Sequence, residues 1–161
     1  MNQGYVHSFH TAAAADGPGV RFAIFLSGCP FRCKYCHNPD TWEMKRGTLR
    51  TVDSLLDEIK KYASFLRMAG GLTITGGEPL AQSEFTYEIF SRVKQEFSLH
   101  TALDTQGFLA GTLPDTYFEP IDLILLDIKE MNPERHRALT GKELQPTLDF
   151  ALRLKRLNKK V

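Results

Sequence analysis

The chain has 161 residues, 42% apolar and 24% charged, with 12 glycines; disordered, collagen-like and low-complexity classes are excluded, and one domain over residues 1–161 is expected. Lysine and arginine number 20 against 19 aspartates and glutamates, so no net charge draws the chain to nucleic acid or an anionic membrane. The longest apolar runs, such as 121–126, fall far short of a membrane span, and the opening MNQGYVHSFH lacks a signal-peptide pattern, so a cytoplasmic protein is expected.

In chain order, the first predicted strand covers residues 20–26, rich in Val, Ile and Phe. A helix follows over 52–66, where Val52, Leu55, Leu56, Ile59, Tyr62, Ala63 and Leu66 recur on one face. Thr51 is placed to cap its start, and Gly70-Gly71 ends it. The second strand is 72–75, and its helix, 84–96, turns Phe85, Ile89, Phe90, Val93 and Phe97 inward behind a Ser83 cap. A third strand spans 99–103 and a fourth 121–126; Asn132-Pro133 opens another helix, and a last one covers 146–157. This alternation predicts a parallel α/β sheet of four strands. Its last strand presents an uncovered apolar edge, and residues 155–161 read as a helix running out into the first residue of a new strand. The expectation is a chain truncated at this end, or one completed by another subunit.

In parallel α/β sheets the chemistry gathers at the carboxyl ends of the strands. Each predicted strand here leads at once into an unusual polar group. The first is followed by Gly28-Cys29-Pro30-Phe31-Arg32-Cys33-Lys34-Tyr35-Cys36-His37 and the second by Gly76-Gly77-Glu78-Pro79. The third ends at Asp104-Thr105-Gln106-Gly107 and the fourth at Asp127-Ile128-Lys129. Four clusters are thereby expected on one rim.

The chain's 3 cysteines, Cys29, Cys33 and Cys36, have the spacing C-x3-C-x2-C. An odd number so close together is a poor disulfide framework and a good soft-metal ligand set. A structural zinc wants a fourth closed ligand, for which His37 is the neighbour. An iron–sulfur cube on three thiolates keeps one iron open, a reactive arrangement rather than an electron wire. Arg32 and Lys34 are either offsets to thiolate charge or solvated cations.

With Tyr35 before its last cysteine, this triplet resembles the radical S-adenosylmethionine signature. Further segments extend the resemblance: His7-Ser8-Phe9, Asp16-Gly17-Pro18-Gly19, Asn38 with Asp40-Thr41-Trp42, Gly76-Gly77-Glu78, Leu103-Asp104-Thr105 and Leu126-Asp127-Ile128-Lys129. In that order they resemble the activases of glycyl-radical enzymes, the pyruvate formate-lyase activating family, over essentially the whole chain. The resemblance implies an incomplete parallel β/α barrel of the radical S-adenosylmethionine type, with further strand–helix units in the longer family members. It implies a [4Fe-4S] cluster on Cys29, Cys33 and Cys36, S-adenosylmethionine as cofactor, and a protein substrate such as pyruvate formate-lyase. It also implies an external flavodoxin-like electron donor.

The remaining site residues follow from the same resemblance. Gly76 and Gly77 line the methionine moiety, and Glu78 suits its ammonium; Tyr35 and His37 flank Cys36 near adenine. Asp127, Ile128 and Lys129 border the cofactor, with Lys129 toward its carboxylate or ribose. Asp104, Thr105 and Asp127 surround a monovalent cation, unless the two aspartates merely cap turns. His7 matches a family position without a derivable role; His100 is expected to be structural, His136 to sit on a helix surface, and residues 16–19 to form a turn. Two other functions remain open: the activating subunit of anaerobic ribonucleotide reductase, and a non-catalytic cluster- or zinc-binding module.

Overall fold

The computed structural model describes residues 2–161. Strand β1 (Gln3–Ala13) turns back into β2 (Val20–Leu26), and β3 (Thr48–Thr51) leads into helix α1 (Val52–Lys60). Helix α2 (Ala63–Ala69) runs straight into β4 (Gly70–Gly76), followed by α3 (Ser83–Phe97) and β5 (Thr101–Thr105). Strand β6 (Leu123–Leu126) and helices α4 (Pro133–Thr140) and α5 (Gln145–Arg156) complete the order. No helix among the described residues is long and apolar enough to cross a membrane.

The sheet has six strands in the order β3-β1-β2-β4-β5-β6. Strands β2, β4, β5 and β6 are parallel, as the alternation predicts, and form the partial β/α barrel that the resemblance implies. The four-stranded count is corrected by β1 and β3, which pair antiparallel on the β2 side. Local patterning shows little sign of them, because β1 is half exposed and its polar residues interrupt any alternation.

Side-chain alternation along the parallel strands separates two faces. Ile24, Ile74, Leu103 and Ile124 stand in register across β2, β4, β5 and β6, each fully buried. Leu55 and Ile59 of α1, Ile89, Phe90 and Val93 of α3, and Phe150 and Leu154 of α5 join them in one core. The predicted single helix over 52–66 is two. The Thr51 cap is present, its hydroxyl accepting from Ser54 N–H (3.1 Å), but the chain tightens at Lys61 and Tyr62, and the Tyr62 ring packs on Phe22 at 6.1 Å. The Ser83 cap is also corrected. Residue Ser83 lies inside α3, and Gln82 at the cap position sends its amide to Tyr5, donating to its carbonyl (2.8 Å) and accepting from its N–H (2.7 Å).

The opposite face is polar. Arg21, fully buried, donates to Leu72 O (2.6 Å) and to the Thr73 hydroxyl oxygen (3.0 Å), and its other nitrogen lies 3.2 Å from His100 Nδ1, giving that histidine the structural role expected. Thr73 in turn donates to Asp16 O (2.7 Å), so the turn expected at residues 16–19 lies against this face. Gly19 has φ 76°, and a Cβ there would stand 2.1 Å from Ala69 O, a backbone atom with no room to move. Gly19→Ala is expected to lower stability by about 2–3 kcal/mol, read as a fall in the urea midpoint at unchanged slope.

At the far edge, Ile124 N–H donates to Lys160 O (2.9 Å), and Leu123 bridges Lys160 in parallel. Lys160 thus begins a pairing on the edge expected to be uncovered.

Candidate functional site

The loop after β2 is fixed from two sides. Gly28 N–H donates to Thr41 O (2.7 Å) and Cys29 N–H to Trp42 O (3.2 Å), while Gly28 O accepts from Glu78 N–H (2.8 Å). Gly77 must be glycine for this approach: a Cβ would lie 2.5 Å from Gly28 O. Arg32 closes the loop on itself, its guanidinium donating to Cys29 O (2.6 Å) and Phe31 O (2.7 Å) with its carbon 5.1 Å over the Trp42 ring. Arg32, expected either to offset thiolate charge or to be a solvated cation, is exposed and in addition braces the loop. His7 has a comparable task, its Nε2 2.7 Å from Asp40, which ties the segment after the cysteines to β1; this hydrogen bond holds the Asp40 carboxyl below its ordinary range.

All three cysteines are free thiols, and they line one cavity of about 300 Å³ at the carboxyl ends of the parallel strands. Tyr35, His37, Gly76, Gly77, Asp104, Asp127 and Lys129 line the same cavity, as the one-rim expectation required. Burial pushes the Cys29 thiol up to about 11, with the nearby Glu78 and the two other thiols adding to the rise. Cys33 is raised by burial too, against the pull of Lys129. A thiol raised in this way is relieved by a cationic metal centre, which takes the thiolate as ligand. Lys129 pairs with Asp127, and its ammonium stands 5.8 Å above the Tyr35 ring. Asp104 accepts from the Thr75 hydroxyl (2.7 Å); its carboxyl is raised, chiefly by burial and further by Asp127.

Three residues expected here are not brought into the cavity. Glu78 is fully buried: Oε1 accepts from Leu80 N–H (3.0 Å) and the Thr105 hydroxyl (2.7 Å), and Oε2 from Gln106 N–H (3.0 Å). Its carboxylate is occupied by the protein and is not offered to an ammonium. Thr105 lies inside β5 next to Asp104, so strand alternation turns the two side chains to opposite faces, and its hydroxyl is engaged by Glu78 and Gly107 N–H (2.9 Å). Of the three residues expected around a cation, Asp104 and Asp127 line the cavity and the Thr105 hydroxyl does not. Ile128 borders a second, open cavity along the β6 edge.

Phe25, Thr75, Trp42 and Gln106 also line the cavity, beyond the residues to which the sequence assigns a role. A signal for Thr75 exists, since Thr73 and Thr75 alternate with Leu72 and Ile74 on an otherwise buried strand. Gln106 donates to Gly77 O (3.2 Å), while its Oε1 is buried without a partner.

The donor chemistry fits a cluster: three free thiols from one loop line one cavity, and soft thiolates are the ligands that iron–sulfur clusters take.

The comparisons with known proteins agree with this donor set. A family profile described as a 4Fe-4S single cluster domain matches residues 15–145. The chain is 45% identical over 155 residues to the pyruvate formate-lyase-activating enzyme of Listeria monocytogenes, covering 92% of this chain and 62% of that protein. It is 44% identical over 161 residues to the pyruvate formate-lyase 1-activating enzyme of Escherichia coli, covering 98% of this chain and 65% of that protein. It therefore spans less than two thirds of these relatives' length. The crystal structure of Streptococcus suis SuiB bound to S-adenosylmethionine has the same fold, with a TM-score of 0.60 and 13% identity, over 87% of this chain and 30% of that one. Three free thiols on one loop, within a profile that covers most of the sequence, make the chain a member of the 4Fe-4S single cluster domain family.

Proposed function

We propose that the chain holds a [4Fe-4S] cluster on Cys29, Cys33 and Cys36, binds S-adenosylmethionine beside it, and activates a glycyl-radical enzyme such as pyruvate formate-lyase in the cytoplasm. The observation that carries this reading is the meeting of three free thiols with Gly77, Asp104, Asp127 and Lys129 around one cavity. Its support is the family profile, the names of the relatives at 44% and 45% identity, and the fold shared with a protein crystallised with S-adenosylmethionine.

Cys29, Cys33 and Cys36 would hold the cluster, which with S-adenosylmethionine bound and one electron from a flavodoxin-like donor would supply the radical chemistry that removes a hydrogen atom from a glycine of the partner. The chain's own residues bind and orient. Gly76 and Gly77 let backbone approach the methionine end without a Cβ in the way. Lys129, already held by Asp127, presents its ammonium to a carboxylate or ribose oxygen, and Tyr35 and His37 flank the adenine. Asp104 and Asp127 offer hard oxygens to a monovalent cation.

Anaerobic reconstitution with iron and sulfide tests the reading. The expected result is a brown protein with about four irons per chain that, once reduced, converts S-adenosylmethionine to methionine and 5′-deoxyadenosine and raises a glycyl-radical signal in pyruvate formate-lyase. A colourless protein holding stoichiometric zinc under excess iron and sulfide overturns it.

A further inference from the structure

The middle of the cysteine loop is held by an element remote in sequence. Arg32 N–H donates to Thr140 O (2.8 Å), and Lys34 N–H donates to Leu139 O (3.0 Å). Both carbonyls belong to the last turn of α4, where a helix has acceptors without intrahelical donors. Where they point depends on how α4 ends. Gly141 closes the helix in the left-handed conformation, φ 76°, with its N–H on Arg137 O (2.9 Å). The chain then folds back until Lys142 O stands 2.9 Å from His136 Nδ1. A carbonyl only accepts, so Nδ1 is the protonated nitrogen. The Thr140 hydroxyl donates to His136 O (2.8 Å) and accepts from Lys142 N–H (3.2 Å), closing a small network. His136 is 1% exposed and Thr140 0%, which corrects the expectation of a surface histidine. The imidazole also stands edge-on to Phe31 (5.9 Å, 87°), the middle of the three residues between Cys29 and Cys33, and Phe31 meets Phe108 in the same manner (5.5 Å, 74°).

We infer that His136 is a positioning residue for the cysteine loop: its Nδ1–H fixes the turn after α4, which aims the Leu139 and Thr140 carbonyls at the loop, while its ring wedges Phe31. These contacts are all between the chain's own residues, so the metal-free loop is expected to keep its order and the thiols their spacing. The inference rests on the reading of this loop as a cluster site.

Amide hydrogen exchange at Arg32 and Lys34 in the metal-free full chain is the test. His136→Phe keeps a ring against Phe31 and removes the donor. Exchange at both amides is expected to rise roughly tenfold, the scale of one buried hydrogen bond, while amides of β4 and β5 keep their rates. In His136→Asn the side-chain amide nitrogen occupies the position of Nδ1, and protection is expected to return in part, the ring against Phe31 being lost. Reconstituted protein should lose iron to a chelator in the same rank order, fastest for the Phe variant. If His136→Phe does not fold, Thr140→Val removes the other half of the network and is expected to act in the same direction. Unchanged Arg32 and Lys34 exchange in a folded Phe variant overturns the inference, as does an Asn variant no better than Phe or an equal rise throughout the sheet. Failure of the wild-type chain to assemble a cluster would instead sink the proposed function and leave the exchange result standing, so the two failures are distinguishable.

Discussion

Cys33→Ala is expected to abolish cluster assembly: iron per chain falls from about four to below one under conditions that load the wild type fully, and S-adenosylmethionine cleavage falls to background. Cys29→Ala and Cys36→Ala should behave alike, because the sequence has 3 cysteines and no spare thiol to substitute. His37 beside Cys36 also lines the cavity but offers a harder nitrogen. The loss should be chemical rather than structural. None of the three thiols is an anchor of the main apolar core, and the loop is braced by backbone bonds from Gly28 and Cys29 to residues 41–42. The thermal midpoint of the metal-free variants is therefore expected within a few degrees of the metal-free wild type, the shift belonging to about 1 kcal/mol or less. Iron content by assay and absorbance near the thiolate–iron bands check the first expectation, and a melting curve the second. Full iron binding by any single alanine variant would remove that cysteine from the ligand set.

Much of this centre is legible in the sequence, because its residues are contiguous. A loop supplying three thiols within eight positions, and glycines or aspartates directly after strands, carry their meaning locally, and the cavity collects them as expected. The failures have one physical origin. Burial and facing are set by partners that lie far off in sequence. Glu78 reads as a free anion until Thr105 and Gln106 are brought to it from β5. Thr105 reads as a ligand until the strand is seen to extend through it, since Asp104 and Thr105 pair with Leu125 and Leu126 and must then face opposite ways. His136, on a helix of mixed polarity, has no local sign of burial; its environment is made by Phe31 and by the turn at Lys142. Strand β1 escapes pattern reading for a related reason: an interior strand paired on both sides need not be apolar when one of its faces is half exposed.

The second large effect is expected at Glu78. Glu78→Ala should cost about 3–5 kcal/mol, because it strands three buried donors at once: Leu80 N–H, the Thr105 hydroxyl and Gln106 N–H. Glu78→Gln keeps the shape and the acceptor for Leu80 and Thr105 but turns an amide N–H against Gln106 N–H, a loss of about 1–3 kcal/mol. The pH dependence separates the charge from the geometry. Burial pushes the Glu78 carboxyl up to about 7 from its ordinary 4.5, and the three donors offset only part of that rise. Between those values the unfolded chain has released the proton while the folded chain keeps it, so the folded state binds more protons and stability falls as pH rises. Below about 4.5 the penalty is absent, and above about 7 it is complete, amounting to about 3 kcal/mol for the interval between the two values. Glutamine has no proton to lose. The loss on Glu78→Gln therefore belongs to pH 4.5, and the difference, wild type minus Glu78→Gln, is expected to fall by about that amount by pH 8, to zero or below, measured by urea unfolding of the metal-free proteins. A difference that grows with pH would mean that the donors outweigh burial and that the carboxylate is held ionised. The consequence reaches the cavity, because Glu78 joins the segment bearing Gly77 to the segment bearing Gln106, and both line it. A variant that loosens this clasp is expected to weaken S-adenosylmethionine binding while leaving cluster content near the wild-type value, which separates its contribution from that of the cysteines.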